Sequence, residues 1–162
     1  MNKEINYTFW GEDIKTNWYD WYVEVQKLFE KMGYKISHYG ISSKSYSPDK
    51  IVTASRKEKE IIKILNSGEV PEDLEFYSLP KDYNSAIGDF DLLCVRTSEF
   101  ISVVFKEKDI SNIDENDILR MKEYITFSFG EVFSSSDYSS MVYSYTKDKE
   151  NVPTYKLIKT FN

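Results

Sequence analysis

One cysteine, one histidine, six glycines and four prolines in 162 residues remove most common catalytic equipment. A lone thiol, Cys94, makes neither an internal disulfide nor a cysteine metal cage. It sits in an apolar strand pattern, so a buried, inert thiol is expected, because reactive cysteines need exposed, cationic surroundings. A lone imidazole, His38, makes no histidine metal cluster, and no nucleophile is tied to it by the sequence. The scarce glycines provide no phosphate-cradling loop, no Gly-x-Ser-x-Gly elbow and no EF-hand. Long apolar runs are missing too. The longest, Leu92-Leu93-Cys94-Val95, falls far short of the roughly 20 residues of a membrane helix. Met1 to Ile5 has no apolar signal segment. A soluble, cytoplasmic chain without cofactor or metal is the expectation.

Aromatic residues are plentiful, with 13 Tyr, 10 Phe and 3 Trp. Apolar residues at 41% and charged residues at 30% describe a globular chain, and its length suits a single domain spanning residues 1–162. With 27 acidic against 21 basic residues, neither nucleic acid nor an anionic membrane is an expected partner. The charge is uneven. Residues 69–137 hold 16 acidic and 6 basic residues, whereas the flanking segments are slightly basic.

Hydrophobic periodicity predicts the elements. Ile5, Tyr7 and Phe9 alternate with Asn6 and Thr8, a strand pattern that Trp10-Gly11 ends. Trp18, Trp21, Tyr22, Val25, Leu28, Phe29 and Met32 recur at helical spacing, with Thr16 or Asn17 as the cap and Gly33 as the stop. Tyr34 to Ile41 reads as a strand and Ser42 to Asp49 as a loop. Ser55-Arg56-Lys57-Glu58 has the form of a capping box opening a helix through Ile61, Ile62 and Leu65. Leu74 to Ser78 is a short strand. Phe90–Arg96 and Phe100–Lys106 form a hairpin at the centre of the sheet. A third helix starts near Asp114 and buries Ile118, Met121, Ile125 and Val132. Met141–Thr146 and Thr154–Phe161 make a final hairpin. This order is α+β: a mostly antiparallel sheet of about 5–7 strands with about three helices on one face.

Chemistry and recognition are read from the acidic stretch. Asp89 and Asp91, two residues apart, would share one side of a strand and could hold a divalent cation for a small enzyme. A restriction-endonuclease-like nuclease would also need an acid-x-Lys, and Val104-Phe105-Lys106 lacks the acid. The alternative is a face for a cationic protein partner, where opposite potentials speed association and reject wrong partners. Asp89, Asp91, Asp114, Glu115 and Asp117 would supply its charge. Tyr83 and Tyr138 would supply aromatic anchors, with Tyr77, Phe90 and Tyr143 as further candidates.

The strand ending Phe9-Trp10-Gly11, the aromatic helix Trp18 to Met32, the loop, and the Lys/Glu helix ending Leu65-Asn66-Ser67-Gly68 together resemble bacterial polymorphic-toxin immunity proteins of the immunity protein 52 family. The resemblance covers residues 5–70 and rests on layout. It implies a non-enzymatic cytoplasmic antitoxin that binds the toxic C-terminal domain of its cognate effector, often a basic nuclease, and blocks it stoichiometrically. A non-catalytic adaptor or regulatory module with another protein partner is the second reading.

Overall fold

A computed structural model of the chain describes residues 3–46, 51–136 and 154–162. Its elements begin with β1 (Glu4–Asp13), α1 (Trp18–Lys31), β2 (His38–Ser42), β3 (Val52–Thr53), α2 (Ala54–Asn66) and β4 (Asp73–Ser78). There follow α3 (Ala86–Asp89), β5 (Leu92–Thr97), β6 (Phe100–Lys106), a 3₁₀ segment (Glu107–Asn112), α4 (Glu115–Leu119), a second 3₁₀ segment (Arg120–Tyr124), β7 (Ile125–Ser135) and β8 (Lys156–Phe161). Eight strands form one sheet in the order β3-β2-β4-β5-β6-β1-β7-β8, and every neighbouring pair is antiparallel. The α+β expectation holds, with one strand more than its upper bound. The expected strand Met141–Thr146, together with Tyr138 and Tyr143, lies outside the described residues.

Alternation sorts each strand into two faces. On one face Tyr7 and Phe9 of β1, Ile101, Val103 and Phe105 of β6, Cys94 of β5 and Phe76 of β4 meet Trp21, Tyr22, Val25 and Phe29 of α1 and Ile61 and Leu65 of α2 in one continuous core. Trp21 and Tyr22 stand 5.3 and 5.2 Å from the Phe76 ring. Burying each such ring contributes about 1.5–3 kcal/mol. The opposite face is also covered. Trp10, Tyr77, Phe90, Leu93, Val95, Phe100 and Val104 form a second buried cluster there. Asn6, Thr8 and Ser102 on that face are wholly buried. Thr8 donates to Asn6 Oδ1 at 2.6 Å and shares a 2.8 Å bond with Ser102, as buried polar groups require.

Four boundaries differ from the sequence reading. Strand β1 does not end at Gly11 but runs to Asp13, because a bulge opposite Trp10/Gly11 lets it continue along β7. A Cβ at Gly11 would collide with the carbonyl oxygen of Thr126, so glycine is required by close backbone approach. The third helix stops at Leu119, and Ile125 to Ser135 is strand instead. Ile118, Met121 and Ile125 fit a helical spacing, yet Ile125-Thr126-Phe127 is β-branched and aromatic, and pairing with β1 prevails over local pattern. The second strand begins at His38 rather than Tyr34. The capping box does not form: α2 starts at Ala54, Thr53 makes no side-chain cap bond, and Glu58 reaches Tyr22 instead.

Candidate partner-binding groove

The acidic residues singled out from the sequence fall on both sides of the sheet. Asp114 caps α4, its Oδ1 accepting the Asn116 N–H at 3.0 Å. Glu115 accepts from Tyr7 Oη at 2.9 Å and pairs with Lys159. The Lys159 ammonium holds its carboxyl below the ordinary glutamate range, and the Tyr7 hydroxyl adds to this. Asp117 pairs with Lys31 at 2.9 Å. These three stand on the helix side and are engaged within the fold.

Asp89 closes α3 and accepts the N–H groups of Ser85 at 3.0 Å and Asn84 at 2.6 Å, which lower its pKa. It flanks Phe90, a member of the cluster opposite the helices. Asp91 lies in a bend before β5, so the two aspartates do not share a strand face as expected. Among the described residues no three His, Cys, Asp or Glu gather to hold a metal ion. Tyr83 is 37% exposed and packs edge-on against His38 at 5.2 Å. Tyr138 lies outside the described residues. His38 Nδ1 is 2.8 Å from Ser37 Oγ, and burial lowers its pKa. Cys94 is wholly buried, which pushes its thiol far up.

A different place on the helix side is open. The stretch of α1 from Tyr22 to Glu30, the segment after it and the first turns of α2 flank a groove of about 540 Å³. Tyr22, Phe29, Tyr39 and Ala54, all buried, line its floor. Gln26, Tyr34 and Ile36 are half-buried walls, and Glu30, Lys35, Ser55 and Glu58 form an exposed rim. Helical spacing aligns Tyr22, Gln26 and Glu30 as one stripe of α1.

Tyr22 Oη is the hub of the groove. It accepts from Gln26 Nε2 at 3.0 Å and stands 3.3 Å from both Tyr39 Oη and Glu58 Oε1. Burial, then the Tyr39 and Glu58 neighbours, raise its pKa well above the phenol range, so it stays a neutral donor. Tyr22 donates to Glu58, and either hydroxyl can donate in the Tyr22–Tyr39 pair; both distances are longer than the usual 2.7–2.8 Å of an O–H···O bond. Tyr34, at the other end, donates to Asp109 Oδ2 at 2.6 Å. Burial, Asp109 and the charge of Asp91 together raise the Tyr34 pKa.

Glu30 and Glu58 have no ion-pair partner among the described residues, in contrast to Glu115 and Asp117. The sequence reading missed both, together with Tyr22, Gln26, Tyr34 and Tyr39. The Tyr22-Gln26-Glu30 stripe was the available signal, hidden because Tyr22 also fits the apolar period of α1.

No helix among the described residues is long and apolar enough to cross a membrane. No family model matches the chain, and no curated protein matches it. The chain is similar to one in the crystal structure of the toxic C-terminal tip of CdiA from Pseudomonas aeruginosa in complex with immune protein. The identity is 12% and the TM-score 0.38, over 99% of this chain and 96% of that one.

Proposed function

We propose that this chain is an immunity protein, a non-catalytic antitoxin that binds the toxic domain of a secreted bacterial effector one-to-one and neutralises it in the cytoplasm. The observation that carries this reading is the groove between α1 and α2, where tyrosine rings meet two carboxylates that form no ion pair among the described residues. Tyrosine is favoured in protein interfaces because it offers a large rigid face and a polar tip. Exposed carboxylates beside it favour a basic protein surface over a phosphate. The layout of residues 5–70, which resembles the immunity protein 52 family, agrees with this. So does the overall acidity of 27 acidic against 21 basic residues.

A nuclease is the toxin this chemistry fits best, because nucleases that hold phosphates present basic surfaces. Inhibition by occlusion needs shape and charge, and no reacting group. Asp91 and Tyr83 remain proposed outlying contacts. Asp89, Asp114, Glu115 and Asp117 act first in the fold and only secondarily as surface charge.

The deciding experiment pairs the chain with the toxic C-terminal domain encoded beside its gene. Calorimetry is expected to give one-to-one binding in the nanomolar range or tighter, as nuclease–immunity pairs can reach. Co-expression is expected to restore growth of cells carrying the toxin domain. Absence of binding to that domain overturns the reading.

A further inference from the structure

We propose that the groove between α1 and α2 is the seat of an arginine side chain presented by the toxin domain. This deepens the immunity reading and rests on it. Arginine combines a planar cation, which stacks on aromatic faces, with a fork of donors that matches carboxylates. The groove offers both complements. Half-buried Tyr34 supplies an accessible ring on its wall beside the buried Tyr22 and Tyr39 of the floor, and Glu30 and Glu58 stand on its rim. One rim cation, Lys35, faces two rim carboxylates, so the lining keeps a net negative charge.

The slack in the hub supports the same occupant. Glu58 accepts only the long 3.3 Å contact from Tyr22 among the hydrogen bonds of the described residues. An ionised carboxylate has about four acceptor positions, so most of its capacity is directed to water in the free protein. Tyr22 Oη donates to Glu58, accepts from Gln26 and shares a bond with Tyr39 Oη in which either hydroxyl can donate. A guanidinium that engages Glu58 would fill acceptor positions that the single long Tyr22 contact leaves open. A volume of about 540 Å³ lies within the roughly 300–1,000 Å³ of known small-ligand sites. It accommodates an arginine together with atoms of the residues that flank it. Lysine would meet the charge but not the stacked, forked geometry.

Two measurements test this. In the first, NMR spectra of the free protein follow the Tyr22 and Tyr39 rings during titration with Nα-acetyl-arginine amide. The neutral isostere, Nα-acetyl-citrulline amide, serves as control. Arginine amide is expected to shift both rings and citrulline amide to leave them unchanged, and the shift should vanish in the Glu30→Gln/Glu58→Gln variant. Equal shifts from both probes, or no shift from either, overturn the proposal.

In the second, calorimetry compares the toxin domain's binding to wild type and to that double variant. Both residues are exposed on the rim, so the variant is expected to melt with the wild type. Its affinity is expected to fall at least about tenfold, since a charge pair that becomes desolvated on binding is costly to break. Unchanged affinity overturns the arginine seat and leaves the immunity reading intact. Arginine-specific shifts without any toxin binding overturn the immunity reading instead.

Discussion

Helix α1 brings a tryptophan-and-arginine arrangement to its first turn and a tyrosine-and-carboxylate arrangement to the stripe from Tyr22 to Glu30, and the two behave oppositely. At the first turn Arg96 is wholly buried. Its Nη2 donates to Asp13 Oδ1 at 2.7 Å, Asn17 Oδ1 at 3.0 Å and the Thr16 carbonyl at 3.2 Å. The guanidinium stands 4.2 Å from the Trp18 ring and 5.8 Å from that of Trp21, a cation–π arrangement beside Nε and Nη1, which have no hydrogen-bond partner among the described residues. Trp18 Nε1 donates to Asp13 Oδ2 at 3.3 Å. The cation and its carboxylate are both inside, so the cluster anchors the helix on the sheet. Along the Tyr22–Glu30 stripe the same kinds of group stand around an opening, with 3.3 Å contacts at Tyr22 and carboxylates that form no ion pair among the described residues. The contrast separates charge that holds the fold from charge available to a partner.

Removing the closed cluster is expected to have the largest effect. Arg96→Ala leaves Asp13 buried without its cation, and breaking such a pair costs about 3–5 kcal/mol. Urea denaturation should show this as a lower midpoint. Arg96→Met together with Asp13→Asn should recover much of the loss, because the isolated buried charge is then gone. If the single variant loses under about 1 kcal/mol, the anchoring role is wrong and the contrast between the two ends collapses.

The α4 carboxylates come next. Reversing Asp114, Glu115 and Asp117 to lysine removes a helix cap and two ion pairs, and sets cations against Lys31 and Lys159. A destabilisation of roughly 2 kcal/mol is expected from the cap and the partly exposed pairs. Any loss of toxin binding by this variant should track its lower melting temperature. A loss of affinity at unchanged stability would move the partner surface from the groove to α4.

Glu75 lies between the two extremes. It sits on the face away from the helices, paired across strands with Gly40 and Val95, and accepts a hydrogen bond from Tyr77. Burial pushes its carboxyl up to about 7, Tyr77 partly opposes this, and Asp73 adds to it. A raised carboxyl pKa means that the folded state holds the proton more tightly than the unfolded chain. Its penalty is therefore absent below the ordinary value of 4.5, grows as pH rises to about 7, and is constant above that. Glu75→Gln should be more stable than wild type above about pH 7 by on the order of 1–2 kcal/mol, allowing for water at this half-buried side chain. The advantage should disappear near pH 4.5. Thermal melts across this range would refute the burial if the two proteins kept a constant difference.

Local patterns made β1, α1 and the β5–β6 hairpin legible, because alternation and helical spacing report directly which face a residue buries. The hairpin turn was equally plain, with Thr97 Oγ1 accepting the N–H groups of Glu99 and Phe100 at 3.2 Å. Boundaries that depend on a neighbour were not legible. Strand β7 shares its first apolar residues with a helical pattern, and only β1 decides between them. The state of each charge was hidden for the same reason. Glu115 meets Tyr7 across 108 positions, Asp117 meets Lys31 across 86, and Arg96 meets Asp13 across 83. A run of acidic residues shows where negative charge enters the chain, not where it remains after such pairs form. Glu58 was misread as a cap for the same reason, since its partner, Tyr22, lies on another helix.

The smallest effect on the fold is expected where the largest effect on binding is proposed. Tyr22→Phe keeps the buried ring and its 5.2 Å contact with Phe76, and removes only the hydroxyl. Tyr39, Gln26 and Glu58 each lose one contact, but all three line an open groove that water can enter. A stability change under about 1 kcal/mol is therefore expected. Toxin affinity should fall more than stability does, because Tyr22 Oη sets the positions of Gln26 and Glu58 at the opening. The salt dependence of binding separates this variant from Glu30→Gln/Glu58→Gln. Affinity for wild type and Tyr22→Phe should weaken in parallel as ionic strength rises, whereas the slope for the double variant should flatten, since screening acts on the charges and not on the hydroxyl. Equal slopes for all three proteins would place the electrostatic contact elsewhere and return the acidic stretch of residues 69–137 to first consideration.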